Sequence, residues 1–249
     1  MTKSGEVLCG FHAVETALKA PKSEVAELVH DGARRDPRLA QLLALARAKG
    51  VKLHRTDRSQ LDQLSGGVRH QGVIALSGRA PAQGLAELKV WLACLPEKPL
   101  VLVLDAIEDP RNFGACLRTA AAVGVDAVIF PAQTGTGLTP AALRVAAGGV
   151  HALRLFEVGN WSQVLVSLKQ AGMWIVGAAE QEIADIYGFD MNQPLALVLG
   201  SEARGLRTIT RKHCDVLLRI PTAQALRSLN VAVATGVVLF EARRQRETG

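Results

Sequence analysis

Amides, hydroxyls, carboxylates and a guanidinium group gather in three short clusters, each shortly behind an apolar run. Asp109-Pro110-Arg111-Asn112-Phe113-Gly114 follows Leu100–Leu104. Gly200-Ser201-Glu202 follows Leu195–Leu199. Pro221 and then Ser228-Leu229-Asn230 follow Val216–Ile220. Runs of this length and branching read as buried strands. In an open α/β sheet, ligands collect outside the carboxyl ends of the strands. The three clusters therefore predict one composite, polar-edged pocket, without naming its ligand.

Taken singly, each residue has a plainer reading. Asn112 ends a Pro-containing turn, and Gly114 is expected to let the backbone approach a ligand closely. Arg118 falls off the apolar stripe of Phe113, Cys116, Leu117 and Ala120, and periodicity alone favours a solvated helical arginine. Glu202 reads equally well as a turn carboxylate. Ser228 reads equally well as the N-cap of a helix carrying Val231, Ala234 and Val238. Asn230, just inside that helix, is a mediocre helix former and is harder to explain structurally.

Several chemistries lack their signatures. The first strand is not followed by G-x-G-x-x-G, and there is no G-x-x-x-x-G-K-[ST] or G-x-S-x-G anywhere. Cys9, Cys94, Cys116 and Cys214 form no C-x-x-C pair and stand at no metal-ligand spacing with histidine, so reduced thiols and no metal are expected. No apolar stretch is long enough to span a membrane, and no apolar signal region follows the first residues. A soluble, cytosolic chain is expected. The net charge of +6 suits a polyanionic partner. Residues 1–78 hold 12 Lys+Arg against 8 Asp+Glu and so carry most of the excess. With only 4% aromatic residues, charge and shape rather than base stacking should dominate any nucleic-acid contact.

The elements that must hold these groups divide at two points. Residues 1–78 read as a small α/β unit. Val14, Ala17 and Leu18 mark a helix, 25–29, 51–53 and 73–76 are strand candidates, and Asp36-Pro37 opens a helix that Gly50 stops. Residues 79–98 read as a linker containing a short amphipathic helix on Leu85, Leu88, Trp91, Leu92 and Leu95. From 99 to 249 strand and helix alternate: strands at 100–107, 126–130, 153–158 and 174–177 and at the runs from 195 and 216, helices at 113–123, 140–147, 161–171 and 229–245. That alternation predicts an α/β fold with a parallel sheet and helices on both faces.

Asp105-x-x-x-Asp109-Pro110-Arg111-Asn112-Phe113-Gly114-Ala115-Cys116-Leu117-Arg118 resembles the first motif of the SpoU (TrmH-like) branch of the SPOUT methyltransferases. Leu199-Gly200-Ser201-Glu202-Ala203-x-Gly205-Leu206 resembles the second. Ile220-Pro221 with Ser228-Leu229-Asn230-Val231-Ala232-Val233-Ala234 resembles the third. Gly10-x-His12-Ala13-Val14-Glu15 and His70-Gln71-Gly72-Val73 are similar to the substrate-binding domain of the ribosomal RNA members. The resemblance covers nearly the whole chain and is closest to the RlmB-like group.

The resemblance implies an S-adenosylmethionine-dependent RNA 2′-O-ribose methyltransferase acting on ribosomal RNA, most of all on a guanosine of the large subunit. A transfer RNA target and a catalytically silent RNA-binding or assembly factor are the alternatives. It also implies a C-terminal trefoil knot, an N-terminal L30e-like RNA-binding domain and a homodimer with the catalytic site near the subunit interface. Catalytic positions carry over onto Asn112, Arg118, Glu202, Ser228 and Asn230, and cofactor contacts onto Leu199, Gly200, Ile220, Ser228 and Leu229. Because arginine is not deprotonated in proteins, Arg118 is expected to hold the target phosphate and the developing alkoxide, while Asn112 and Asn230 orient ribose and loops. The chain departs from the family pattern at His151, Arg154, Arg204 and Arg227. Arginines 204, 207 and 227 are expected to add RNA phosphate contacts.

Overall fold

The computed structural model describes residues 6–20, 25–77, 82–180, 182–223 and 228–248. The chain forms two units, one of residues 1–81 with 147–152, the other of 82–146 with 153–249.

The N-terminal unit runs β1 (Glu6–Cys9), α1 (Phe11–Lys19), β2 (Val25–Asp31), α2 (Pro37–Ala48), β3 (Lys52–Thr56), α3 (Arg58–Leu64) and β4 (Val73–Ser77). Its sheet has the order β1-β4-β2-β3, with β2 and β3 parallel and β4 antiparallel to both β1 and β2. Alternate side chains point to opposite faces. Leu28 and Val73 pack with α1 and α2 on one face, and Val29 and Ile74 pack with Leu61 of α3 on the other. Asp36 caps α2 by accepting from Arg38 N, with Pro37 at the first helical position.

The C-terminal unit runs β5 (Ala82–Gln83), α4 (Leu85–Leu92), β6 (Leu100–Asp105), α5 (Pro110–Val123), β7 (Ala127–Pro131), α6 (Pro140–Ala146), β8 (Leu155–Val158), α7 (Trp161–Gln170), β9 (Trp174–Ala178), β10 (Leu195–Gly200), α8 (Thr208–His213), β11 (Val216–Leu218) and α9 (Val231–Thr248). The stretch read as a linker thus supplies an edge strand and α4, whose Leu88, Trp91 and Leu92 join the core of this unit. In turn a short 3-10 turn, Gly149–Ala152, belongs with the N-terminal unit, where Gly148 abuts the backbone of Ala13.

Seven strands form one parallel sheet in the order β11-β9-β10-β6-β7-β8-β5. Every residue of β6 and β7 is buried, as expected for central parallel strands covered on both faces. Val101 and Val103 pack towards Trp91, Phe156, Val164 and Leu168. Leu102 and Leu104 point the other way. Such side chains contribute about 1.5–3 kcal/mol each on burial. The sequence of strands reverses at β6: β7 and β8 lie to one side, β10 and β9 to the other. That reversal is a topological switch point, and the loops after β6 and β10 lie beside it.

Candidate active site

β6 ends at Asp105, and the chain turns into α5 through Asp109, whose carboxylate accepts from Arg111 N at 2.7 Å. This cap, with Pro110 behind it, places Asn112 in the first turn of α5. Beside β6, β10 ends at Gly200, the register partner of Asp105. The next residues close on themselves: Ser201 N donates to Gly205 O and Gly205 N to Ser201 O, at 3.1 and 2.8 Å. A Cβ on Gly200 would lie 2.1 Å from the Gly205 carbonyl carbon, so only glycine fits this return.

The loop carries Glu202 to Asn112. Asn112 Nδ2 donates to Glu202 Oε1 at 2.6 Å, and Asn230 Nδ2 donates to Asn112 Oδ1 at 3.1 Å. An ionised carboxylate only accepts, so it turns the Asn112 amino group towards itself and the Asn112 oxygen towards Asn230. Asn230 Oδ1 in turn accepts from Ala232 N at 2.9 Å and from Val233 N. Asn230 is therefore the N-cap of α9. The sequence offered Ser228 as a cap only on equal terms with a site role and placed Asn230 just inside the helix; the structure gives the cap to Asn230. A short acceptor side chain at this position satisfies amides that the helix leaves unpaired.

A cleft of about 400 Å³ opens against this set. Leu199, Gly200, Ile220 and Leu229 line it, as do Glu202, Arg204, Arg211, Glu180, Ala178 and Ala234. Ser228 is exposed and is not among the lining residues. Arg118 is also exposed, with no hydrogen bond or ion pair among the described residues. It lies six residues beyond Asn112, which separates the two by about 120° around the axis of α5. Of the residues carried over from the motifs, the structure therefore gathers Asn112, Glu202 and Asn230 into one linked set. It puts Leu199, Gly200, Ile220 and Leu229 in the cleft wall and leaves Arg118 and Ser228 outside it. Between α5 and α9, Cys116 is buried beside the Thr235 hydroxyl at 3.2 Å, and burial pushes its thiol up to about 11.

Gly114 does not face the cleft. A Cβ there would lie 2.3 Å from Ala142 O, so its role is the close packing of α5 on α6. Arg207 corrects a second expectation. It turns inwards to the buried Asp105 and lies over the Trp161 ring, 4.8 Å from its centroid, rather than offering a free charge to RNA. Arg154 covers Trp91 at 5.6 Å. Arg227 lies outside the described residues. Sequence reasoning missed Glu180 and Arg211 in the cleft wall. The only signal for Glu180 was its position just past a strand. Arg211 sits on α8, which buries only Thr210 and so shows no apolar stripe.

The N-terminal unit has a polar edge of its own. The carboxyl ends of β1, β2 and β3 and the start of β4 share it, bringing together Gly10–His12, the stretch after Asp31, Arg55 and Arg69–Gly72. Arg34 donates to Gln71 O and to the Asp36 carboxylate, both at 2.6 Å, and lies over the Phe11 ring. This guanidinium, ahead of the Arg38 amide, holds the Asp36 carboxyl below its usual value. Phe11 N donates to Gln71 Oε1. His70 is buried, accepts from Gly72 N through Nδ1 and meets Asp62 through Nε2 at 2.8 Å. Around this frame His12, Arg35, Arg55 and Arg69 are exposed.

Topology and cleft together define a class: an α/β enzyme that holds a small ligand at the switch point of a parallel sheet. Comparison with known proteins makes the class particular. Residues 99–240 match the SpoU rRNA Methylase family, and residues 7–81 match the RNA 2′-O ribose methyltransferase substrate-binding family. The chain belongs to the SpoU rRNA methylase family. It is 42% identical over 242 residues to the 23S rRNA (guanosine-2′-O-)-methyltransferase RlmB of Pseudomonas putida, covering 97% of each chain. To the protein of the same name from Shewanella oneidensis it is 39% identical, covering 99% of this chain and all of that one. Among solved structures it is similar to the SpoU methyltransferase AviRb of Streptomyces viridochromogenes in complex with AdoMet. That likeness has a TM-score of 0.79 at 26% identity and covers 99% of this chain and 92% of the other. A crystal structure of an RNA 2′-O ribose methyltransferase gives a TM-score of 0.75 at 27% identity, covering 98% and 90%.

Proposed function

We propose that this chain transfers the methyl group of S-adenosylmethionine to the 2′-hydroxyl of a guanosine ribose in 23S ribosomal RNA. The observation that carries this reading is the linked Glu202–Asn112–Asn230 set on the rim of an apolar-walled cleft at the switch point. The cleft suits the donor. Leu199, Ile220 and Leu229 offer apolar wall to an adenine, the Gly200–Leu206 backbone offers polar groups, and the carboxylates of Glu180 and Glu202 favour a cation. S-adenosylmethionine, when bound, supplies an electrophilic methyl group on a sulfonium.

The residues divide the remaining work. Asn112 fixes one oxygen of Glu202 and leaves Oε2 as an acceptor for the ribose hydroxyl. Asn230 holds Asn112 and anchors that contact to the start of α9. Arg118, as a permanent cation, is assigned to the target phosphate and the developing alkoxide. In-line displacement needs little more than placement, which a short hydrogen-bonded set on two helix starts and a strand end supplies. Ser228, just ahead of α9, keeps its assignment as a catalytic and donor contact. The basic edge of the N-terminal unit, with Arg35, Arg55 and Arg69 around the Arg34–Phe11 pair, is assigned to the RNA backbone.

We read the active enzyme as a homodimer. Val233 and Phe240 lie two helical turns apart on α9 and are both about half exposed, with Leu229 exposed just ahead of them. A second copy would cover this stripe, and α5, which packs on α9, carries the unpaired Arg118. The trefoil knot that the family resemblance implies is assigned to the C-terminal unit. Among the described residues no helix is long and apolar enough to cross a membrane, and a cytoplasmic site of action goes with the RNA substrate. Calorimetric titration with S-adenosylmethionine, followed by labelled methyl transfer into unmodified ribosomal and transfer RNA, tests the reading. Transfer to transfer RNA alone shifts the substrate, and no donor binding removes the activity.

A further inference from the structure

The fully buried Asp105 and its half-buried partner Arg207 carry an inference that the motif assignments leave untouched. Asp105 ends the central strand β6, and both its oxygens are spent on one residue: Oδ2 accepts from Arg207 N at 2.9 Å and Oδ1 from Arg207 Nε. The guanidinium then lies over Trp161 and reaches Thr134 Oγ1 at 3.1 Å in the loop after β7. Its Nη2 is buried without an acceptor among the described residues.

Stability alone does not call for this arrangement. An ion pair with one partner fully buried is often matched or bettered by apolar side chains of similar volume, and an unpaired buried donor is a further cost. What the pair does is set where a loop ends. Every residue from Gly200 to Leu206 lines the cleft. The loop starts at Gly200, the register partner of Asp105, and ends at Arg207, bonded to the same Asp105. Both ends of the loop are therefore held at one point on the sheet, and Glu202 hangs between them.

We propose that the Asp105–Arg207 pair is the positioning device of the methyl-donor loop, fixing Glu202 against Asn112 and setting the affinity for the donor. Arg207 is a positioning residue, since it acts through Glu202 and the loop backbone. The proposal rests on the methyltransferase reading above.

The test uses the full-length protein and compares Arg207→Lys, Asp105→Asn and the core truncation Val164→Ala, with thermal unfolding measured alongside methyl transfer. Arg207→Lys keeps the charge and the backbone bond to Asp105 but loses the planar contact over Trp161. It raises KM for S-adenosylmethionine by about 10-fold or more and, because Glu202 drifts, lowers kcat by up to about 10²-fold. Asp105→Asn shifts both constants in the same direction. Val164→Ala lowers the unfolding temperature and leaves both constants at wild-type values. In the Arg207→Lys background, adding Glu202→Ala costs much less than it does in wild type, because the two act as a unit. Wild-type constants in Arg207→Lys and Asp105→Asn, or additive losses with Glu202→Ala, overturn the proposal. An inactive wild-type protein overturns the methyltransferase reading instead.

Discussion

Asn112 and Glu202, 90 residues apart in sequence, share a hydrogen bond of 2.6 Å between the start of α5 and the loop after β10. The bond bridges the two loops beside the switch point of the sheet. It makes the placement of a carboxylate depend on an amide, and that amide on the cap of a third element, α9. Positioning is thus distributed over three chain segments, with only the Asn230 side chain anchored by its own helix.

Asn112→Ala removes both links at once. Methyl transfer is expected to fall by about 10²-fold, the scale of a reacting group misplaced by an ångström. The unfolding temperature should move little, because the side chain is only partly buried. Steady-state turnover beside a thermal melt checks this, and unchanged turnover takes Asn112 out of the site.

Asn230 allows capping and positioning to be separated. Asn230→Ala loses the α9 cap, worth about 1 kcal/mol, as well as the contact to Asn112. Asn230→Ser keeps a capping oxygen but has no amino group to donate. The serine variant should melt close to wild type and still turn over poorly, whereas the alanine variant should lose on both counts. If Asn230→Ser is fully active, the bond to Asn112 has no part in catalysis.

Much of the scaffold for these contacts was legible in the sequence. β6 and β10 announce themselves as unbroken branched runs because both faces of each are buried. The start of α2 was marked by Asp36 and Pro37. Two short helices were not legible: α3 and α8 bury only Leu61 and Thr210, too little to set up a periodicity. The run 216–220 narrows to Val216–Leu218, because β9 ends at Ala178 opposite Leu218 and Arg219 pairs with Asp185 instead. In the site, residue types pointed to the right clusters, but the partners did not show. Nothing local tells that Asn230 caps α9, that Gly114 serves α6 or that Arg207 finds a carboxylate 102 residues away.

Arg118 stands apart from these bonds, so its replacement should separate activity from folding completely. Arg118→Ala is expected to melt like wild type and to lose most of its methyl transfer. Arg118→Lys, a cation without the planar fork, should recover only part of it. Equal activity in Arg118→Lys and wild type would show that charge alone suffices.

The cysteines predict a graded chemical reactivity. Burial pushes Cys116 to about 11 and Cys214 to about 12, while Cys94 is exposed. At neutral pH the two raised thiols are almost wholly protonated and should resist alkylation in the native protein, with Cys94 reacting first. Because the folded state favours the protonated thiols, their contribution to stability is complete below pH 9. It drains away as the pH rises through about 11 and 12. Mass spectrometry after timed alkylation reads the order. Early modification of Cys116 would contradict the packing of α5 on α9.

Site-resolved mapping of 2′-O-methyl groups on 23S RNA bears most directly on the central claim. The RNA is transcribed without modification and incubated with S-adenosylmethionine and either the wild-type protein or Asn112→Ala. The account predicts a single methylated guanosine ribose with the wild-type protein and, under the same conditions, little or none with the variant. Methylation on a base, or equal methylation by the two proteins, would contradict it.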